Sequence, residues 1–485
     1  MHIVIGGVMM NLDGCRVARI NKDKNFDGQF YFGVKTTGIF CIPSCPSPTA
    51  KEENVVYFND VDSAIKEGYR PCLRCRPNKN IKEKDGFMDI ELINISLDMI
   101  KSGVYNINNL AKKLYISERY LRKLYNIHIG ISPLKVIQLH KALIAMESIG
   151  NEKTITDTGY KAGFSSIKQF NTVFKKVFGC TPTKAKEYGG QKTLGKIIIE
   201  INHDETFVFK EILDFLRIRR IEGVEVVESD CYKRSYRFGS KKGYFSIRQK
   251  DDTKLALTIY THDIKVIPMI YTKVRKMFDL DTDFTYINSM FKNDELLSKG
   301  MDLDHVPRLP VAFDTFEFLI RAILGQQITV KAATTLTRRI VERANICCEG
   351  NYHDEIKFFF PNLKELTWTD ISGLGITNRR QETIKRVLQG LNDGVFTIDK
   401  DQSYERFLKE FISIKGIGNW TVDYVAMRGL GMVDSFPSKD LGVIKAISKE
   451  EKLPDKEILN IAEKWRPYRA YATLCLWNSL RKKES

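Results

Sequence analysis

Apolar positions recur along this chain with two different periods, and the changes of period divide it into four blocks. Up to about Asn80 they come in short runs broken by Gly, Pro and Cys, with strand-like pieces at 29–34 and 54–58. The polar stretch 78–85 reads as a linker. From there to about Gly189 the apolar step lengthens to three and four, as in Leu110, Leu114, Leu121 and Leu124, which predicts helices. Residues 107–130 read as helix, turn, helix, with Asn108 as N-cap of 109–114 and Ser117 as N-cap of 118–125. A second such unit starts near Thr154, and its last helix opens at Ser165-Ser166 and ends at Phe178-Gly179. Gly189-Gly190-Gln191 marks the next boundary.

The third block mixes strands at 197–201, 232–238, 244–249 and 255–260 with helices at 207–220 and 267–278. The fourth is helical again, punctuated by Gly-rich turns at 372–375 and 415–419. The expected domains are therefore 1–80, 81–190, 193–300 and 301–485, in a multidomain, mainly α protein with one α+β part.

Composition removes several alternatives. At 485 residues, 43% hydrophobic and 28% charged, the chain is neither disordered nor fibrous. It has no apolar run near the ~18 residues a membrane helix needs. The first nine residues are apolar but contain no Lys or Arg, which argues against an export signal and leaves Met9 or Met10 as an alternative start. The net charge is +16, from 76 basic and 60 acidic residues, and favours a polyanionic partner, nucleic acid before a membrane surface. The excess is densest at 81–190, with 17 basic against 10 acidic residues. Without an export signal the ten cysteines are expected to stay reduced in a cytoplasmic protein, so the close pairs among them point to a metal.

Those pairs are Cys41-x3-Cys45 and Cys72-x2-Cys75. Each lets two sulfurs reach one ion from a tight turn, and together they complete a tetrahedral site for one Zn2+, with iron as second choice. Spacing alone fits a purely structural site. The surrounding residues add more. Thr36-Thr37-Gly38-Ile39-Phe40-Cys41, Pro43-Ser44-Cys45, Glu53-Asn54-Val55 and Gly68-Tyr69-Arg70-Pro71-Cys72-Leu73-Arg74-Cys75 resemble the N-terminal domain of the Ada-type methylation-response proteins over about residues 12–80. The resemblance implies that Cys41 accepts a methyl group from a DNA methylphosphotriester. A zinc-bound thiolate stays deprotonated and nucleophilic at neutral pH. Four thiolates on Zn2+ carry a formal charge of −2. Methylating one leaves −1, which weakens repulsion from DNA phosphates, so repair would double as a binding switch. Two positions depart from the family: Ile42 stands where Arg commonly follows the acceptor, and Pro46 replaces a frequent basic residue.

In the second block Arg119, Arg122 and Lys123 would project from one helix, and Ser165, Lys168 and Gln169 from another, suited to phosphate and base-edge contact. Any amphipathic helix pair exposes such residues. Gly159-Tyr160-x-x-Gly163-Phe164, followed by Phe170, Phe174-Lys175-Lys176 and Phe178-Gly179-Cys180-Thr181-Pro182, is more specific and resembles the AraC-type DNA-binding domain over about 88–188. That resemblance implies a double helix-turn-helix entering successive major grooves, in an activator that works with RNA polymerase.

The last block carries Lys415-Gly416-Ile417-Gly418-Asn419-Trp420-Thr421, in which Gly416 and Gly418 shape a hairpin whose backbone N–H groups can hold a phosphate. With Pro307-Arg308-Leu309-Pro310, Ile323-Leu324-Gly325-Gln326-Gln327, Phe436-Pro437-Ser438-Lys439-Asp440 and Trp465-Arg466-Pro467-Tyr468, it resembles the helix–hairpin–helix DNA glycosylases of the AlkA type, over about 195–480. The resemblance implies that the third block is that family's TBP-like α+β domain. It also implies that Asp440 is the carboxylate facing the sugar cation as the N-glycosidic bond breaks. Trp420, Tyr424 and Trp477 would form the base pocket, stacking on a flipped cationic purine. Gln327 would occupy the wedge position, where some relatives have Leu. Trp420 stands where lyase-competent relatives carry Lys, so a monofunctional hydrolytic enzyme is expected.

The sum is a DNA alkylation-response protein, bacterial, cytoplasmic and nucleoid-associated, acting as a monomer on alkylated and promoter double-stranded DNA and not on membranes. No Pro-Cys-His-Arg motif of the O6-alkylguanine transferases occurs. The rival reading is a sequence-specific transcription regulator with a structural zinc site and an inactive glycosylase-like clamp.

Overall fold

The computed structural model describes residues 3–5, 8–10, 12–72, 74–75, 77, 87–187, 193–348, 352–398, 402–448 and 453–484. The expected linker at 78–85 and the boundary at 189–191 lie outside the described residues. The chain forms two compact units, one of residues 1–145 and 153–173, the other of 146–152 and 174–485.

After an antiparallel strand pair, Ile3–Ile5 with Val8–Met10, and a helix over Leu12–Ile20, the first unit forms a four-stranded sheet. Strands β1 (Tyr31–Val34), β2 (Ile39–Cys41), β3 (Val55–Phe58) and β4 (Arg70–Pro71) are ordered β3-β1-β2-β4, with β2 and β4 parallel. Side chains alternate across it, as strand geometry requires. Tyr31, Phe40 and Phe58 enter one small core with Ile65, while Phe32 and Cys41 enter the other with Cys45, Val55 and Cys72. The same alternation that buries Phe40 thus delivers Cys41 to the opposite face.

Helices α1 (Ile107–Lys113) and α2 (Glu118–His128) follow, then α3 (Ile155–Lys161) and α4 (Ile167–Phe178). The cap of α1 is Asn106, whose Oδ1 accepts from the Asn109 amide at 3.0 Å, not Asn108 as the sequence predicts. Either Asn has the right chemistry; the earlier one lets Leu110, Ala111 and Leu114 all reach the core. Ser117 caps α2 as expected, accepting from Tyr120 N at 3.1 Å, and α2 runs three residues beyond the predicted Tyr125. Thr154 caps α3, and Ser166 accepts from Gln169 N at the start of α4.

In the second unit, β5 (Gly195–Asn202), β6 (Glu225–Val227), β7 (Cys231–Phe238), β8 (Lys241–Asp251) and β9 (Lys254–Thr261) make an antiparallel sheet of order β5-β9-β8-β7-β6. The three-residue β6 was not legible in the sequence. Ile197, Ile199 and Ile201 alternate inward with Leu255, Leu257 and Ile259. Helix α5 (Phe209–Arg219) reaches β6 and helix 266–277 packs on β9. A buried charge group fixes this layer to the helical one: Arg234 of β7 bonds Glu225 of β6 at 2.9 Å and also pairs with Glu317 of α6 (Thr315–Leu324).

The helical part has two apolar cores. One gathers α6 with helices 378–392 and 404–412 and α7 (Asn419–Val425); the other gathers helix 284–292 with α8 (Leu441–Ile447) and α9 (Arg469–Glu484). Tyr424 packs on the first and Trp477 on the second, and the site opens where the two meet.

Candidate functional site

Cys41 ends β2. Cys45 closes a tight turn in which its amide donates to Ile42 O at 3.1 Å. Cys72 leaves β4 with its amide bonded to Phe40 O at 2.9 Å. Asp27 braces the first turn through Ser44, accepting from its amide at 3.0 Å and its hydroxyl at 2.5 Å. Buried Arg19 braces the following loop by donating to Ala50 O at 3.0 Å and to Glu52. The four sulfurs all lie within 4.8 Å of one another, and Cys45 and Cys72 are 3.9 Å apart. A tetrahedron with Zn–S bonds of about 2.3 Å has edges of about 3.8 Å, so the donor set fits that ion. Ser47 donates to the Cys45 sulfur and the Ile42 amide to that of Cys75. The hydrogen bond from Cys41, ahead of burial, draws the Cys75 thiol down to about 6, and that same bond pushes Cys41 far up. Cys41, Cys45 and Cys72 are buried, Cys41 to 4% exposure, and Cys75 is half-buried.

Helix α2 buries Leu121, Leu124 and Tyr125 and exposes Arg119, Arg122 and Lys123 on the other side. Arg122 lies 3.6 Å from Glu118 one turn back. Ser165, just before α4, and Lys168 on it are exposed, while Gln169 is half-buried and accepts from Ser165 Oγ at 3.1 Å.

The second constellation centres on Asp440. It is the N-cap of α8, its Oδ1 accepting from the amides of Gly442 (2.9 Å) and Val443 (3.1 Å). Both indoles of the expected pocket also converge on it: Trp477 Nε1 donates to Oδ1 at 2.7 Å and Trp420 Nε1 to Oδ2 at 2.8 Å. Four N–H donors thus fix one carboxylate. Gly442 is required, because a Cβ there would come within 2.8 Å of the Trp477 ring. Trp420 and Tyr424, one turn apart on α7, stack at 5.1 Å and 15°, and Tyr424 meets Trp477 edge-on at 6.4 Å. Beyond Tyr424 the helix widens into a π-turn, Ala426–Leu430, a distortion that recurs at functional sites.

The hairpin preceding α7 puts Gly416 at φ +104, where a Cβ would overlap Thr383, and leaves Gly418 exposed at the helix start with no side-chain cap. Gln327 is exposed and takes the left-handed conformation at φ +58, unusual for Gln, in the turn after α6. Its neighbour Gln326 ties that turn to the hairpin, donating to Gly416 O at 3.0 Å and Thr421 Oγ1 at 3.1 Å. The cleft holding Trp420, Tyr424, Asp440 and Trp477 has a volume of about 700 Å³.

The cleft also contains residues the sequence did not single out: Phe215 and Arg219 from α5, Arg428 from the π-turn, and Arg481 from α9. Arg428 follows Tyr424 by four positions, so helical periodicity could have found it. Phe215 and Arg219 come from the α+β layer, and no local motif marks them.

These geometries agree with likeness to known proteins. Residues 14–78 match the family described as "Metal binding domain of Ada", 110–188 a helix-turn-helix domain, and 198–314 the "AlkA N-terminal domain". Mycobacterium tuberculosis has a protein named "Probable bifunctional transcriptional activator/DNA repair enzyme AlkA" that is 28% identical over 97% of both chains. The "Bifunctional transcriptional activator/DNA repair enzyme AdaA" of Bacillus subtilis is 33% identical over 38% of this chain and 88% of its own. A solved 3-methyladenine DNA glycosylase from Archaeoglobus fulgidus shares the fold of 58% of this chain and 98% of its own, with a TM-score of 0.50 and 20% identity. The chain belongs to the family of Ada-type bifunctional activator and DNA repair proteins, in the form that continues into an AlkA-type half.

Proposed function

We propose that the C-terminal half hydrolyses the N-glycosidic bond of alkylated purines of the 3-methyladenine type in duplex DNA. The observation that carries this reading is the carboxylate of Asp440, gripped through both oxygens by the two indoles that wall the cleft. As the bond to the base lengthens, positive charge grows on the sugar, and a fixed carboxylate stabilises it without reorganising. Asp440 then orients the water that adds to the sugar carbon and takes its proton. Trp420, Tyr424 and Trp477 stack on the flipped base. Gln327 fills the gap it leaves, and the N–H groups around Gly416 and Gly418 hold the backbone phosphate. With Trp420 in place of an amine on α7, no Schiff base forms there and the reaction ends at the abasic site.

The N-terminal domain moves a methyl group once, from a DNA methylphosphotriester to Cys41. The S–CH3 bond forms as the CH3–O bond breaks, and the electron pair stays on the phosphate oxygen. One zinc ion held by Cys41, Cys45, Cys72 and Cys75 would keep those sulfurs deprotonated. Arg119, Arg122, Lys123, Ser165, Lys168 and Gln169 place the protein on promoter DNA, where it activates transcription with RNA polymerase as a monomer in the bacterial cytoplasm. No single described helix is long and apolar enough to cross a membrane. The test is single-turnover release of 3-methyladenine from methylated duplex, with wild type expected to release it and Asp440→Asn expected not to.

A further inference from the structure

Gln327 is exposed at φ +58, a conformation that residues with a Cβ avoid and that persists only where the surroundings over-determine it. Its own turn is loosely closed: the Ile328 amide reaches Gly325 O, and the Gln326 amide Ile323 O, each at 3.4 Å. The hold comes from outside the turn, through Gln326. Its side-chain Nε2 donates to Gly416 O at 3.0 Å and to Thr421 Oγ1 at 3.1 Å, and its carbonyl accepts from Nη2 of Arg380. Main chain and side chain of one residue are thus held by segments 54 to 95 positions away. Among the described residues Arg380 has no carboxylate partner, and its charge-assisted bond goes to this carbonyl. The partners of Gln326 are themselves fixed. Thr421 is buried, and Gly416 lies so close to buried Thr383 that a Cβ would overlap it. Thr383 stands on the helix 378–392 that carries Arg380, and Arg386 of that helix donates to Lys415 O at 3.4 Å. One helix therefore holds both the turn of Gln327 and the hairpin of Gly416 and Gly418.

This arrangement bears on base extrusion. Taking a base out of the duplex costs its stacking and its pairing, least where it has no partner. A side chain that enters the stack offsets that cost fully only if it is already ordered and aimed when the phosphate is held. Misplacing such a group by about 1 Å can lower a rate about 10²-fold. Gln326 does not line the cleft, so it touches neither the base nor Asp440. What it can set is where Gln327 stands relative to the hairpin.

We propose that Gln326, clamped by Arg380, is a positioning residue that fixes Gln327 to the phosphate-holding hairpin, so that backbone capture and base extrusion share one register. The proposal rests on reading the C-terminal half as a base-flipping glycosylase. The test uses the full chain and a pyrimidine strand with one adenine, methylated with label and annealed so that this base faces either thymine or an abasic-site analogue. Single-turnover release of 3-methyladenine is measured for wild type, Gln326→Ala, Arg380→Ala and Gln326→Glu, which keeps the size but loses the N–H donors. Thermal midpoints are followed in parallel, and the ratio of unpaired to paired release cancels any loss of folded protein. Relative to wild type, that ratio is expected to rise at least about tenfold in both Gln326 variants, and in the same direction in Arg380→Ala. An unchanged or lower ratio in either Gln326 variant, whatever the absolute rates, overturns the proposal by making Gln326 a packing residue. A wild type that excises the lesion in only one of the two contexts overturns it alone. A wild type that excises it in neither overturns the glycosylase reading, and this inference falls with it.

Discussion

The cysteine centre and the aromatic cleft around Asp440 are built in opposite ways. Four sulfurs from one short stretch, residues 41–75, meet within 4.8 Å because two tight turns and a parallel strand pair leave them nowhere else to go. The cleft draws on residues from 211 to 481, carried by α5, α7, α8 and α9 among others and brought together by two apolar cores and the Arg234 charge group. A local centre is all or nothing, since each ligand also holds the fold. A dispersed centre degrades in steps, since each residue has its own support.

That contrast ranks the outcomes of substitution. The largest effect is expected from Cys72→Ser: zinc is lost from the full chain and the sheet of β1–β4 melts with it, because structural zinc sites contribute about 10–16 kcal/mol to small domains. Metal analysis with circular dichroism checks this, and a variant that keeps its fold without zinc would erase the distinction. Next comes Asp440→Asn. It should lower excision about 10²–10³-fold while damaged-duplex binding persists, since the Asn oxygen still accepts from the Trp477 indole and the two α8 amides, and only the Trp420 indole loses its acceptor. Retention of more than a tenth of wild-type turnover would place the carboxylate elsewhere.

Trp420→Ala should cost about tenfold, seen as weaker lesion capture more than slower bond cleavage, because it removes the stacking partner of Tyr424 and only one of four donors to Asp440. Titrating damaged duplex under single-turnover conditions separates the two. The smallest effect concerns Asp423, buried beside Trp420's helix neighbours and bonded by the Tyr404 hydroxyl. Burial pushes its carboxyl up to about 7. Between about pH 4 and 7 the folded chain keeps a proton that the unfolded chain has released, so stability falls as pH rises through that window. Asp423→Asn should flatten this slope and raise Tm at pH 8 by about 2–4 °C, read by melts at pH 5 and 8.

The same contrast explains what the sequence revealed. The cysteine spacing is a local signal, and its residues converge as that spacing requires. Helix caps at Ser117 and Thr154 are equally local and appear where expected, and the slip from Asn108 to Asn106 is a choice between two identical residues that only core burial decides. The aromatic spacing of Trp420 and Tyr424 gave one wall of the pocket. The indole grip on Asp440, the left-handed turn at Gln327 and the arginines beside Phe215 depend on segments distant in sequence, and no period or motif encodes those meetings.

Two separate repair chemistries are proposed for one chain, methyl capture at a cysteine centre and base excision at Asp440. They are tested most directly by incubating the full-length protein with duplex DNA methyl-labelled on both bases and phosphates. Free purines and protein-bound label are then scored from the same reaction, with the label located by peptide mass spectrometry. The expected result is repeated release of labelled 3-methyladenine together with a single methyl per chain, on Cys41. Label on another cysteine, such as the more exposed Cys75, or the absence of either signal, would contradict it.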